Sequence, residues 1–323
     1  MTLAAYSESG PNTSADAVAK TSPPAPGAVT DDLPRATMAP MSDEPRAISI
    51  PIPGGRIEAI PLPGGPGVPL LVLGGVEIGL RPLAGSEPAH LRRWDRRTER
   101  RPVVIMGRPL PDDPADAARM MHPRQMADSV ARGVRALRGV SPPLAIEAES
   151  GGGRISLWLT IEHPDLVSRL VLSSVASETP DDSPMRPRMA QWLDLAEQGR
   201  WADFFAHMAL QLKPAGSVHA EAPPVAQGFQ PRPSTPERFI GELRATLDPS
   251  SFVTDRLAEI SVPTLVLAGG QDQVVPLAAT RLVAERIPGA RFEFDPECGH
   301  TVRASFRGYD ELVEAFLAEG DTA

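Results

Sequence analysis

Cysteine is nearly absent. Cys298 is the only one in 323 residues, so no internal disulfide framework can form and nothing in the composition requires an oxidising compartment. Lysine is almost as scarce: Lys20 and Lys213 are the only two, and arginine carries the rest of the positive charge, which we read as coding bias rather than function. A net charge of −9 without clustered positive potential argues against a nucleic-acid partner, since such a protein must displace counterions. The one dense basic stretch, "RRWDRRTERR" from Arg92 to Arg101, is interspersed with acids and is expected to form the solvated face of a helix. No apolar run approaches the roughly 20 residues of a membrane helix. The amino terminus has neither a basic start nor an apolar signal core. The expectation is a soluble, cytoplasmic protein with no membrane partner; nothing in the sequence fixes its oligomeric state.

What is present divides the chain. Residues 1–45 are rich in Pro, Ala, Ser, Thr and acids without a periodic apolar face, so they are expected to form a disordered tail that can be removed without loss of fold. From Arg46, "AISIPIPGGRIEAIPLPGG" alternates apolar residues around Gly54-Gly55, a hairpin signal with prolines suited to edge strands. Apolar bursts then recur between helix-length segments: "VPLLVLGG", "RPVVIMG", "PPLAIEAES", "VSRLVLSS", "VPTLVLAGG" and "ARFEFDPECGH". Strands alternating with helices predict an α/β fold, a mostly parallel sheet flanked by helices on both faces. Its ligands should gather beyond the carboxyl ends of the strands. Between Ser174 and Val262 no strand burst occurs. Residues 177–255 are therefore expected to be an inserted helical cap, splitting a core of residues 46–176 and 256–320. Within it, Trp192, Leu193, Trp201, Phe204, Phe205 and Met208 either pack the cap or line a pocket beneath it.

The stretch "AIEAESGGGRISLW", residues 145–158, reads as strand, sharp turn and helix. Ser150 lies in the turn, with small Ala148 two residues before it and Gly152 two after, a spacing that permits a strained bend exposing the hydroxyl. A serine hydroxyl becomes a useful nucleophile only when a base takes its proton, and the base needs a carboxylate to fix its tautomer. "LAGGQDQVVP" puts Asp272 just past the next-to-last strand, and "FDPECGH" puts His300 just past the last. Three strand tips on one rim, in the order Ser, Asp, His, are far more specific than any one alone.

On "AESGGGRISLWLTIEHPDLVSRLVLSS", "VPTLVLAGGQDQVVP" and "IPGARFEFDPECGHTV" the chain resembles the α/β-hydrolases, over roughly residues 46–320 and least within the cap. The resemblance implies the α/β-hydrolase fold, with Ser150 as nucleophile, Asp272 as acid and His300 as base. It also implies an oxyanion hole made by the backbone N–H groups of Gly151 and Val76. Three departures stand out. Gly74-Gly75 replaces the usual His-Gly, so the histidine that braces the oxyanion loop is missing. Ala148 replaces the first elbow glycine, and Glu149 and Gly151 flank the serine. The Gly74–Leu80 loop must be held by other means, for which Glu77 or packing of Val76 and Ile78 are the local candidates.

The remaining residues read as bland. His90, His122, His163, His207 and His219 lack partners at metal-ligand spacing, so no metal is expected. Cys298 reads as buried filler rather than a second nucleophile, and Glu178 is the lesser candidate for the acid. No glycine-rich phosphate loop follows the first core strand, so no cofactor is expected. The leading expectation is a serine hydrolase acting on a small-molecule acyl substrate, a small or medium carboxylic ester. A thioester, lactone or C–C bond hydrolase, or an acyltransferase, uses the same triad. A non-catalytic binding protein of this fold is the alternative of a different class.

Overall fold

In the computed structural model, residues 47–75, 93–215 and 236–321 are described. The expected tail, Val76, Glu77, Ile78, His90 and His219 lie outside them. Among the described residues nine strands form one sheet: β1 Ile48–Ile52, β2 Gly55–Leu62, β3 Leu70–Leu73, β4 Val103–Met106, β5 Leu110–Pro111, β6 Leu144–Glu149, β7 Val167–Ser173, β8 Thr264–Gly269 and β9 Arg291–Asp295. The helices are α1 Asp95–Thr98, α2 Ala117–Met120, α3 Pro123–Ala136, α4 Gly151–Glu162, α5 Met185–Glu197, α6 Trp201–Gln211, α7 Pro236–Leu247, α8 Leu277–Arg286, α9 Val302–Ser305 and α10 Tyr309–Ala318.

The sheet order is β1-β2-β4-β3-β6-β7-β8-β9, with β5 paired to β2. From β4 onward every pairing is parallel, whereas β1, β2 and β4 pair antiparallel. The expected hairpin is present, with Ile52 opposite Gly55, and Gly54 takes φ +78°. That angle suits the second central residue of a turn after Pro53, where an L side chain would be strained.

Strands β3, β4 and β8 are buried along their whole length, as continuous apolar runs require when helices cover both faces. The period-2 alternation of side chains sorts them into two cores. Leu71, Leu73, Ile146, Leu170, Leu172 and Val266 meet Met126, Val130 and Val134 of α3, Ile155 of α4 and Val283 of α8. Leu70, Val72, Val103, Val171, Leu265 and Leu267 face Tyr309, Val313 and Phe316 of α10 on the other side. Full burial of each such side chain contributes about 1.5–3 kcal/mol. At the edge, β9 is mostly exposed and carries Arg291 and Glu293, which discourage pairing with another chain.

Between β7 and β8 the described residues contain helices and no strand. Helices α5, α6 and α7 hold a third apolar cluster, in which Phe204 meets Trp201, Phe205 and Phe239 edge to face, the Phe204 and Phe205 rings at 5.0 Å. Val274 and Val275, from the turn after β8, join this cluster. The helices therefore pack directly on the rim where the strands end.

The stretch from Arg92 to Arg101 differs from the solvated helical face expected of it. Among its described residues only Asp95–Thr98 is helical; Arg93, Arg96 and Arg100 are exposed, but the side chains of Arg97 and Arg101 are completely buried. Arg97 pairs with Glu147 of β6 (3.0 Å) and Glu314 of α10 (2.8 Å), and Arg101 with Asp321 (3.0 Å). These carboxylates compensate charges that burial alone would make prohibitive.

Candidate active site

Ser150 follows β6 and immediately precedes α4. Its backbone takes φ +51°, ψ −120°, a region that costs a non-glycine residue roughly 1–3 kcal/mol. The surroundings hold it there: the Ser150 N–H donates to Ser173 O (2.9 Å), and the Gly153 N–H donates to Ser150 O (2.9 Å). The glycines that follow serve close approach. A Cβ on Gly152 would lie 2.2 Å from the carbonyl oxygens of Leu73 and Gly74, and one on Gly153 would lie 2.0 Å from Val175 Cγ2. The run of glycine after Ser150 thus lets α4 start hard against the ends of β3 and β7. Gly151 is the first residue of α4, and an N–H at that position has no acceptor within its own helix.

Asp272 and His300 come from the turns after β8 and β9. The Nε2 of His300 is 3.1 Å from Ser150 Oγ, and its Nδ1 is 2.9 and 3.0 Å from the two carboxylate oxygens of Asp272. With a carboxylate on Nδ1, that nitrogen carries the proton and Nε2 is left to accept one from the serine. Asp272 is itself fixed, because its Oδ1 accepts the N–H groups of Val274 (2.7 Å) and Val275 (2.9 Å). The side chains of His300 and Asp272 are buried, 6% and 1% exposed. Glu178, the lesser candidate for the acid, acts on Arg154 instead.

The turn that carries His300 is anchored by Asp295 at the end of β9. The Asp295 carboxylate accepts the N–H of Glu297 and both the backbone and guanidinium of Arg307, which hold its pKa down at about 2. On the far side of His300, Arg303 of α9 pairs with Glu147 and lies 3.8 Å over the Trp94 ring. Burial opposes ionisation of Glu147, but Arg303 and Arg97 outweigh it and hold its pKa below the ordinary range, while the Tyr309 hydroxyl donates to it at 3.0 Å. Glu149 beside Ser150 goes the other way: burial pushes its pKa up, against the opposing pull of His300, Arg303 and Arg93.

Ser150 and Gly151 open on a cavity lined by Met126, Arg154, Met185, Met189, Trp192 and Glu242. Of the aromatic residues read from the sequence as packing or pocket lining, Trp192 does both, while Phe204 and Phe205 are buried in the cluster behind it. The three bland histidines among the described residues have structural partners: His122 caps α3, His163 binds Asp128 (2.8 Å) and His207 accepts from Trp192 Nε1 (3.1 Å). Cys298 is buried, which pushes its thiol pKa up, and it contacts Gly299 O and Ser305 Oγ. That environment favours the thiol over the thiolate a nucleophile requires.

Two site residues escaped the sequence reading. Arg108, two residues past β4, and Glu242 of α7 are both buried, and Arg108 binds the carbonyls of Gly74 and Gly75. The available signal was position: an arginine at the carboxyl end of a core strand faces the same rim as Ser150.

A strained serine at a strand-to-helix turn, with a buried histidine and aspartate from later strand tips, defines the α/β-hydrolase class. Residues 124–303 match the family model described as serine aminopeptidase, S33, and the chain belongs to that α/β-hydrolase family. It is 31% identical over 200 residues to 2-hydroxymuconate semialdehyde hydrolase of Pseudomonas putida, spanning 60% of this chain and 70% of that one. It is 26% identical over 183 residues to pimeloyl-[acyl-carrier protein] methyl ester esterase of Nitrosomonas europaea, spanning 52% and 67%. Among solved structures, an esterase from Exiguobacterium antarcticum matches with TM-score 0.66 at 20% identity, covering 83% of this chain and 97% of that one. Among the described residues, no helix is long and apolar enough to cross a membrane.

Proposed function

We propose that the chain is a serine hydrolase that cleaves a small or medium carboxylic ester through an acyl-enzyme. The observation that carries this reading is the unbroken hydrogen-bonded path from Asp272 through His300 to Ser150, on the wall of a cavity. His300 Nε2 takes the hydroxyl proton as Ser150 Oγ attacks the acyl carbon, and Asp272 stabilises the imidazolium that forms. The Gly151 N–H, at the start of α4, and the N–H of Val76 receive the oxyanion. His300 then gives its proton to the departing alcohol, and water activated by the same nitrogen releases the acid. Residues 177–255 act as the cap, and Met185, Met189 and Trp192 offer an apolar wall to the acyl chain.

A panel of p-nitrophenyl esters of increasing chain length tests the proposal. Turnover by the wild type and its loss in Ser150→Ala are expected; equal rates in the two proteins place the chemistry elsewhere. A second reading draws support from the Pseudomonas putida relative, with 2-hydroxymuconate semialdehyde taking the place of an ester at the same site. Assaying that compound beside the panel separates the two.

A further inference from the structure

The loop after β3 poses a physical problem. An oxyanion donor works only when it is aimed in advance at the developing charge. Gly74 and Gly75 have no side chain with which to anchor themselves, and glycine loses more conformational freedom on ordering than any other residue. Yet this loop abuts the nucleophile, since a Cβ on Gly75 would lie 3.5 Å from Ser150 Cβ.

Arg108 supplies the missing anchor. Its Nη2 donates to Gly75 O at 2.6 Å and to Gly74 O at 3.1 Å. Its Nε and Nη2 also donate to Glu242 Oε1, at 3.2 and 3.1 Å. Arg108 is 2% exposed and Glu242 7%, so both charges are withdrawn from water and each depends on the other. A trans peptide carries its C=O and N–H on opposite edges of one plane. Holding the Gly74 and Gly75 carbonyls therefore restricts the backbone of both glycines where the loop passes Ser150. Glu242 belongs to α7 and lines the cavity on which Ser150 opens.

Resting on the reading of Ser150 as an acyl nucleophile, we propose that Arg108 is the positioning residue of the oxyanion loop. Glu242 orients Arg108 and so ties the loop to α7 above the cavity. The planar fork of the guanidinium suits this task, because it reaches the two carbonyls and the carboxylate together. A lysine ammonium has no such fixed geometry.

The test uses Arg108→Met, Arg108→Lys, Glu242→Gln and the double variant Arg108→Met/Glu242→Gln in the full chain. It reads kcat, KM and thermal melting with the p-nitrophenyl ester that the wild type turns over best. Arg108→Met is expected to lower kcat roughly 100-fold, as for a lost oxyanion donor, with KM changed less than about threefold. Arg108→Lys should recover part of the loss and Glu242→Gln should lose less. The double variant should be no worse than Arg108→Met, because the two residues act as a unit. A folded Arg108→Met with kcat within about threefold of wild type, or a loss confined to KM, overturns the proposal. If Arg108→Met melts below the assay temperature, Arg108→Lys decides by the same threefold criterion. The reading beneath is judged separately by Ser150→Ala: if wild-type turnover does not depend on Ser150, both fall, whereas Ser150-dependent turnover that survives loss of Arg108 removes only the brace.

Discussion

His300 Nε2 lies 3.1 Å from Ser150 Oγ across 150 residues of sequence, brought there because β6 and β9 end on the same rim of one parallel sheet. A base at this distance is within reach of the proton it must take. Because the members of the proposed triad act as a unit, Ser150→Ala and His300→Ala should each remove nearly all ester turnover. Asp272→Asn, which leaves the base in the wrong tautomer, should cost roughly 10⁴-fold in kcat. Steady-state kinetics on the best p-nitrophenyl ester checks all three.

The elbow glycines make a steric prediction. A methyl group on Gly152 meets backbone carbonyls at 2.2 Å, which no rotamer change relieves, whereas one on Gly153 meets the Val175 side chain. Both Gly152→Ala and Gly153→Ala should lower Tm, reflecting a destabilisation of at least the roughly 1–3 kcal/mol typical of overpacking. Adding Val175→Ala should restore much of the loss for Gly153→Ala and none for Gly152→Ala. Equal rescue of both would contradict the contacts described.

Glu147 should matter to folding more than any surface acid. It sits 4% exposed between Arg97 and Arg303, so Glu147→Ala strands buried guanidinium charge and should cost about 3–5 kcal/mol. Denaturant unfolding would measure it. Arg303 lies three residues beyond His300, so a folded variant should also show a lower kcat.

This network also marks the limit of sequence reasoning. The six strand bursts and the three tips that hold Ser150, Asp272 and His300 were legible, because apolar runs bounded by glycine report on the backbone locally. In "RRWDRRTERR" Arg93, Arg96 and Arg100 are exposed as expected, whereas Arg97 and Arg101 are buried. Arg97 finds Glu147 50 residues away and Arg101 finds Asp321 220 residues away, and no local pattern reveals a partner at such distance. Arg108 was missed for the same reason. The expectation that the Gly74 loop is held by some other residue came from an absence, the lacking histidine, and an absence cannot name its replacement.

Glu147 and Glu149 should impose opposite pH dependence on stability. The folded pKa of Glu147 is depressed, so its contribution is present above the unfolded carboxylate pKa of about 4.3 and disappears as pH falls through the folded value. The folded pKa of Glu149 is raised by burial, so its contribution is full below about 4.3 and is lost as pH rises through the folded value. Glu149→Gln should therefore melt higher than wild type at neutral pH, with the difference vanishing towards about pH 4. A difference independent of pH would show that Glu149 is not the titrating group.

The central claim, that Ser150 is an activated nucleophile, is tested most directly by covalent labelling with a fluorophosphonate followed by mass spectrometry of the peptide around residue 150. Only a serine whose proton is drawn off by a base reacts readily. The account predicts one adduct, on Ser150, in the wild type, and its near-complete loss in a folded His300→Ala variant. No adduct on Ser150 in folded wild-type protein, or equal labelling with and without His300, would contradict it.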